Sequence, residues 1–390
     1  MRFLHEVTPG LIEGLSSVEA SMIGTYAYIF GANGEALLWA VLLPFIMWPY
    51  IEYSASVIGS EEHMTFLEVI RKRYGDVPAA ASALSLMASN VSAMVVEVIA
   101  ASMALSMLFH ATWPLFLPIS LAILFLAPSA TGKHWTAVVL AGSLPMLAFP
   151  VAALYAMHGP AVQQAAAGIL GFGAKFDGAS VSALIGATVA PDALFFAEES
   201  GYEQKISFLG IAVGDVVGLT LSLSLAITFA LSFIGTPPTS LSRIASSLAP
   251  VIGPLAYVIF PIALLSSCMA SFAVALKPWL SSLSFLTGRP LSSKDEFLPG
   301  TLALVFGGAF LLGLMVNWRS LAFEEAAYTS GLISSVGLLL PLALLSYIIS
   351  SKKGRVPLMV RAFGPMYAVI MILIVSLGLI LFRLIRSTIF

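Results

Sequence analysis

The stretch that decides the fold is GASVSALIGATVAPDALFFAEE, residues 178–199. It is long and apolar enough to span a bilayer, yet Pro191 and Asp192 stand at its middle. A proline there removes an N–H from the i→i−4 ladder and clashes with the preceding turn. Non-helical backbone at membrane depth survives only where protein or a watery cavity covers it. A second interrupted span is PGLIEGLSSVEASMIGTYAYIF, residues 9–30, which carries Glu13 and Glu19 among small polar residues.

Working outward, the chain reads as polytopic. Of its 390 residues 59% are hydrophobic and 10% charged, against about 25% charged in soluble domains. A soluble globule of this size cannot hide so much apolar surface. A spanning helix takes about 20 residues, so eleven spans account for the apolar fraction. The expected spans are 9–30, 36–59, 80–109, 112–129, 135–157, 178–199, 204–234, 245–274, 299–317, 327–350 and 362–385. Met1 to Val7 is short and polar, so no cleavable signal peptide is expected. With the N-terminus inside, thirteen of the eighteen Lys and Arg residues fall in inner segments and five outside, which supports that orientation. The C-terminal pair Arg383 and Arg386 is the exception, since eleven spans place it outside.

The two broken spans are the first and the sixth, so each opens a set of five. That is the sequence pointer to an inverted-repeat transporter with its site where the broken helices meet. The expected organisation is one membrane domain, 1–390, with a first repeat over 8–157, a second over 178–350, and an eleventh helix at 362–385.

Several function classes drop out. A net charge of −2 leaves no nucleic-acid footprint. One cysteine, Cys268, excludes a disulfide framework and a cysteine metal cluster. The five histidines are scattered, and neither a phosphate-binding loop nor a dinucleotide fingerprint is present. The apolar runs far exceed the ten-residue alternating segments of a membrane β-barrel. A secondary transporter, a channel or a membrane subunit of a larger complex remains. Nothing points to an enzyme, and no cofactor is expected.

Ionisable groups inside spans are costly and mark function by default. The candidates are Glu19, Glu97, Asp192 and Asp215, all acidic, with no basic residue at comparable depth. Uncompensated carboxylates facing one cavity either share protons or hold a cation. Oxygen ligands suit hard or borderline divalent ions. All but Glu19 have a ready plainer reading. Asp192 can cap the second half-helix, Glu97 can sit neutral and hydrogen-bonded between helices, and Asp215 fits a structural place at the inner interface. Met22 is a soft ligand or core packing. Cys268 fits a small-residue helix contact, and Glu198, Glu199 and Glu203 fit a solvated rim.

Together these motifs resemble the natural resistance-associated macrophage protein (NRAMP) family of divalent-metal transporters, over about residues 8 to 350. GATVAPDALFFAEE, from Gly186, stands where that family has Gly-Ala-x-Val-Met-Pro-His. TPGLI followed by EGLSSVEASM resembles its opening motifs. ALLWAVLLP, FLEVIRKRYG and VEVIAASMALSMLF resemble its second and third spans. The resemblance implies a LeuT-type fold, all-α, with two inverted five-helix repeats plus an eleventh helix and with helices 1 and 6 broken. It also implies a metal site and its changes here. The family's metal-binding aspartate falls on Glu19, its asparagine on Met22, its methionine on Ala190 and its histidine on Asp192. In the third span the proton-route aspartate falls on Met94 and its glutamate on Glu97. A glutamine of the tenth span falls on Leu339.

The metal-site candidates are therefore Glu19, Asp192, Met22 and Ala190, with Glu97 as the proton-route candidate. The expected cargo is a divalent ion of the Mg²⁺ or Mn²⁺ class, moved by alternating access. With Ala190 in place of a thioether, preference for soft ions should fall. With Met94 interrupting the route, uniport or weak proton coupling is expected. The expected partners are the ion and the lipid bilayer. The expected setting is the plasma membrane of a prokaryote, N-terminus cytoplasmic. Two other readings stay open: a carrier of another small solute on the same fold, such as an organic cation or amino acid, and a non-transporting subunit or degenerate channel.

Overall fold

The computed structural model describes residue 14 and residues 18–131, 141–142, 144–189, 208–289, 297–319 and 323–351. Every regular element among them is helical. The first half holds α1 (Ala20–Asn33), a 3₁₀ stretch (Gly34–Val41), α2 (Leu42–Glu62), α3 (Phe66–Tyr74), α4 (Asp76–Phe109), α5 (Leu117–Thr131), α6 (Ala148–Ala156) and α7 (Pro160–Ile169). The second holds α8 (Gly178–Thr188), α9 (Phe208–Phe233), α10 (Leu241–Ser246), α11 (Ala249–Ile252), α12 (Ala256–Thr287), α13 (Phe297–Arg319) and α14 (Phe323–Ser351). Five of the helical stretches are long and apolar enough to cross a membrane, and a bent pair makes a sixth. The expected eleventh span, 362–385, lies outside the described residues.

The core is built around α1. Its residues from Ala20 to Ala27 are all buried, and it packs against α9, α14, α8 and α4. A helix surrounded by others is apolar all round rather than striped, which is why YAYIF-type sequence runs on without a polar face. The most extensive pairing is between the long helices α4 and α12. At 34 residues, α4 is about 51 Å long, more than the hydrocarbon core needs. Small residues allow the closest approach. A Cβ on Gly186 of α8 would overlap the carbonyl oxygen of Gly331 on α14, so only glycine fits there.

Charge marks the ends. Helix α3 starts in a capping box, with Thr65 accepting from the Glu68 N–H and Glu68 accepting from the Thr65 N–H. Its Arg73 and Lys72 pair with Glu62 at 2.9 and 3.5 Å, and Arg71 with Asp76 at 3.0 Å. Arg71 also lies 5.9 Å from the ring centre of Phe285 at the far end of α12, which ties the α2–α4 connection to that helix.

Three boundaries differ from the sequence reading. The expected span 245–274 is a helix at Ala256–Thr287, preceded by short turns. Pro250, Gly253 and Pro254 break the apolar run before it, since proline and glycine interrupt a helix whatever its hydropathy. Lys277 consequently lies within α12, not in a loop. The stretch after residue 157 contains α7, bent by 117° from the 144–156 segment. The tenth span begins at Phe323, so Glu324, read as loop, is fully buried.

Candidate metal centre

Glu19 stands immediately before α1 with extended backbone, φ −95° and ψ 169°. Val18 and Glu19 are not helical, and α1 starts at Ala20. The first turn of α1 explains why. Its free N–H groups need acceptors, and no side chain of the local N-cap supplies one. Glu97 of α4 does so from 76 residues away. Its Oε1 takes a long 3.5 Å bond from the Ser21 N–H, and the Ala20 N–H is also directed at it. A side-chain acceptor here answers N–H groups that the helix leaves open, so Glu97 caps the start of α1.

Ser21 joins the two carboxylates. Its N–H faces Glu97, and its hydroxyl donates to Glu19 Oε1 at 2.6 Å. The second oxygen of Glu19 accepts from the Ser271 hydroxyl of α12. One turn earlier on α12, Ser267 donates to the Val18 carbonyl. The unwound backbone and its carboxylate are thus held by hydroxyls of a single neighbouring helix. Cys268, between those serines and fully buried, places its thiol against the Glu97 carboxyl. Oε2 of Glu97 is buried without a nitrogen or oxygen partner.

Met22 is fully buried and faces α9, where the Ser222 hydroxyl lies 4.0 Å from its sulfur. Two turns along α1 from Glu19, the hydroxyls of Tyr26 and Thr188 share a hydrogen bond at 3.1 Å. This bond fastens α1 to the last residue of α8. The α8 helix stops there, and Val189 leaves it with ψ 86°. Ala190 and Asp192 lie outside the described residues. Among those described, no three His, Cys, Asp or Glu side chains converge as ion ligands. No basic side chain bonds to Glu19 or Glu97 among them. The arrangement offers a cation carboxylate, hydroxyl and carbonyl oxygens that carry no compensating positive side chain.

Asp215 belongs to a second place. It lines a pocket with Glu52, Trp48, Phe45, Gly14 and Gly214. The Trp48 indole donates to Glu52, which is 3% exposed. Gly14 lies so close to the Gly214 backbone that a Cβ would overlap its carbonyl oxygen. The sequence reading placed Asp215 at an interface but missed Glu52. The signal was available, an ionisable residue inside an apolar run with an indole one turn before it. Ser267 and Ser271 were legible only as small residues, because their partners are about 250 positions away.

Comparison with known proteins adds three findings. The family model described as natural resistance-associated macrophage protein-like matches residues 10–383. No curated protein sequence matches the chain. Among solved structures, the Eremococcus coleocola manganese transporter, in complex with an aromatic bis-isothiourea substituted compound, is similar at a TM-score of 0.72 and 15% identity, covering 97% of this chain and 86% of that one. Mhp1, a nucleobase-cation-symport-1 family transporter, is similar at a TM-score of 0.56 and 15% identity, with 91% and 80% covered. At these identities the likeness shows the fold, which is the LeuT-like one.

Proposed function

Because this chain belongs to the natural resistance-associated macrophage protein (Nramp) family of membrane metal transporters, and is not an enzyme, we propose that it carries a divalent cation of the Mn²⁺ or Mg²⁺ class by alternating access around Glu19. The observation that carries this reading is the Glu19 carboxylate at an extended break, bonded by the Ser21 and Ser271 hydroxyls and without a basic partner among the described residues. Such a carboxylate inside a membrane protein marks a functional site by default, and a bound cation offsets its charge. Oxygen donors of this kind suit hard and borderline divalent ions. The manganese transport named for the structural relative agrees with the class.

Asp192 is the second carboxylate of the proposed site, with Ala190 beside it. Three positions separate Asp192 from Val189, where the described part of the sixth span ends. Glu97 is the proposed proton-route group. It already serves as acceptor for the α1 N-terminus, and Met94, fully buried, precedes it on the same helix. Both features favour uniport or weak proton coupling.

A larger organic cargo has less support. Tyr26, which such a site would use as a wall, is fully buried and bonded to Thr188, and Tyr28 packs on Tyr328 at 4.8 Å between ring centres. The test is uptake into liposomes over Mn²⁺, Mg²⁺, an amino acid and an organic cation, with and without a pH gradient. Saturable uptake of a divalent ion that is lost in Glu19→Gln is expected. Transport of an organic solute alone would reverse the reading.

A further inference from the structure

We propose that Cys268 and Glu97 form a sulfur-bearing subsite beside Glu19, which lets this site bind thiophilic divalent ions such as Cd²⁺ and Zn²⁺ although Ala190 has no thioether. The inference rests on the divalent-cation reading above and reverses the softness expected from sequence alone.

Three observations carry it. The Cys268 thiol and the Glu97 carboxyl meet in the space between α12 and α4, and both residues are fully buried. Oε2 of Glu97 has no nitrogen or oxygen partner there, although buried polar atoms are paired in the great majority of cases. The neighbouring residues of α12, Ser267 and Ser271, donate to Val18 and Glu19, so the thiol borders the same unwound backbone.

The choice of side chain supports a ligand over packing. A hydroxyl at position 268 would be a stronger donor to the Glu97 carboxyl. A thiol is a weak donor and a small hydrophobe, and it leaves the oxygen's demand open. A thiolate beside a carboxylate is a mixed soft and hard donor pair, which suits Cd²⁺ and Zn²⁺ better than Mg²⁺. The other sulfur near the break, Met22, is turned to Ser222 of α9 and does not replace it.

The chain holds one cysteine, so any cadmium–thiolate absorption in the ultraviolet arises from Cys268. The purified full chain is titrated with Cd²⁺ and, separately, with Mn²⁺ by calorimetry, with absorption followed for Cd²⁺. The expected result is a thiolate band saturating at one Cd²⁺ per chain, and a ratio of Cd²⁺ to Mn²⁺ affinity that falls about tenfold or more in Cys268→Ser and in Glu97→Gln. Cys268→Ala serves as a second replacement, and the wild-type band is independent of how any variant folds. Cd²⁺ binding without the band, or an unchanged affinity ratio in Cys268→Ser, overturns the subsite and leaves the transport reading standing. Absence of any divalent binding to the wild type overturns both.

Discussion

Among the described residues two places each bring two carboxylates together, one of them buried (Glu97, Glu52) and one half-buried (Glu19, Asp215), and the two pairs are held differently. Glu19 and Glu97 meet at the start of α1. Their donors are serine hydroxyls and the amides of an opening helix turn, with a thiol alongside. Glu52 and Asp215 line a pocket between α2 and α9, and Glu52 is bonded by the Trp48 indole, a group with no other hydrogen-bonding use. Hydroxyls both donate and accept, so they can turn from a carboxylate to an ion without leaving a buried donor stranded. An indole N–H only donates. The first pair is suited to exchanging its partner for a cation, and the second to holding one arrangement.

That contrast is sharpest in transport. Replacing Glu19 by Gln should lower divalent uptake about a hundredfold or more, because the charge that holds the ion is removed. Glu52→Gln should lower it far less. Initial rates in liposomes separate the two, and equal losses would erase the distinction between the pairs. Next in size is Ser271→Ala. Removing this hydroxyl should weaken ion affinity about tenfold, because it orients the carboxylate that would hold the ion. Binding calorimetry reads the change, and an unaltered affinity would mean that Ser271 only packs.

Trp48→Phe addresses the other pair. Removing one donor from the buried Glu52 carboxyl should destabilise the fold by about 2 kcal/mol, with ion affinity retained. Thermal unfolding in detergent and calorimetry on the same sample test both halves. The smallest effect is expected for Tyr26→Phe, which removes one neutral hydrogen bond to Thr188 and should cost about 1 kcal/mol. A large loss of ion affinity in that variant would draw Tyr26 into the site.

The membrane class and the break at Thr188–Val189 were legible because they depend on local features, apolar length and the proline at 191. The LeuT-like fold was legible through order and spacing of motifs. The start of α12 was not, since hydropathy alone joins 245–255 to the helix while Pro250, Gly253 and Pro254 separate them. Within the candidate site, Glu19 stands out in the sequence as a charge in an apolar span. The role of Glu97 as acceptor for α1 was not legible, because the helix it caps begins 77 residues earlier. Cys268 read as a small helix-contact residue. Its thiol acquires chemical meaning only beside a carboxylate that another helix delivers.

The central claim, that an uncompensated Glu19 carboxylate at the break holds a divalent ion, is tested most directly by Mn²⁺ calorimetry on the wild type and Glu19→Gln. The account predicts one saturable Mn²⁺ site in the wild type and loss of that site in folded Glu19→Gln. Mn²⁺ binding of unchanged affinity in Glu19→Gln would contradict it.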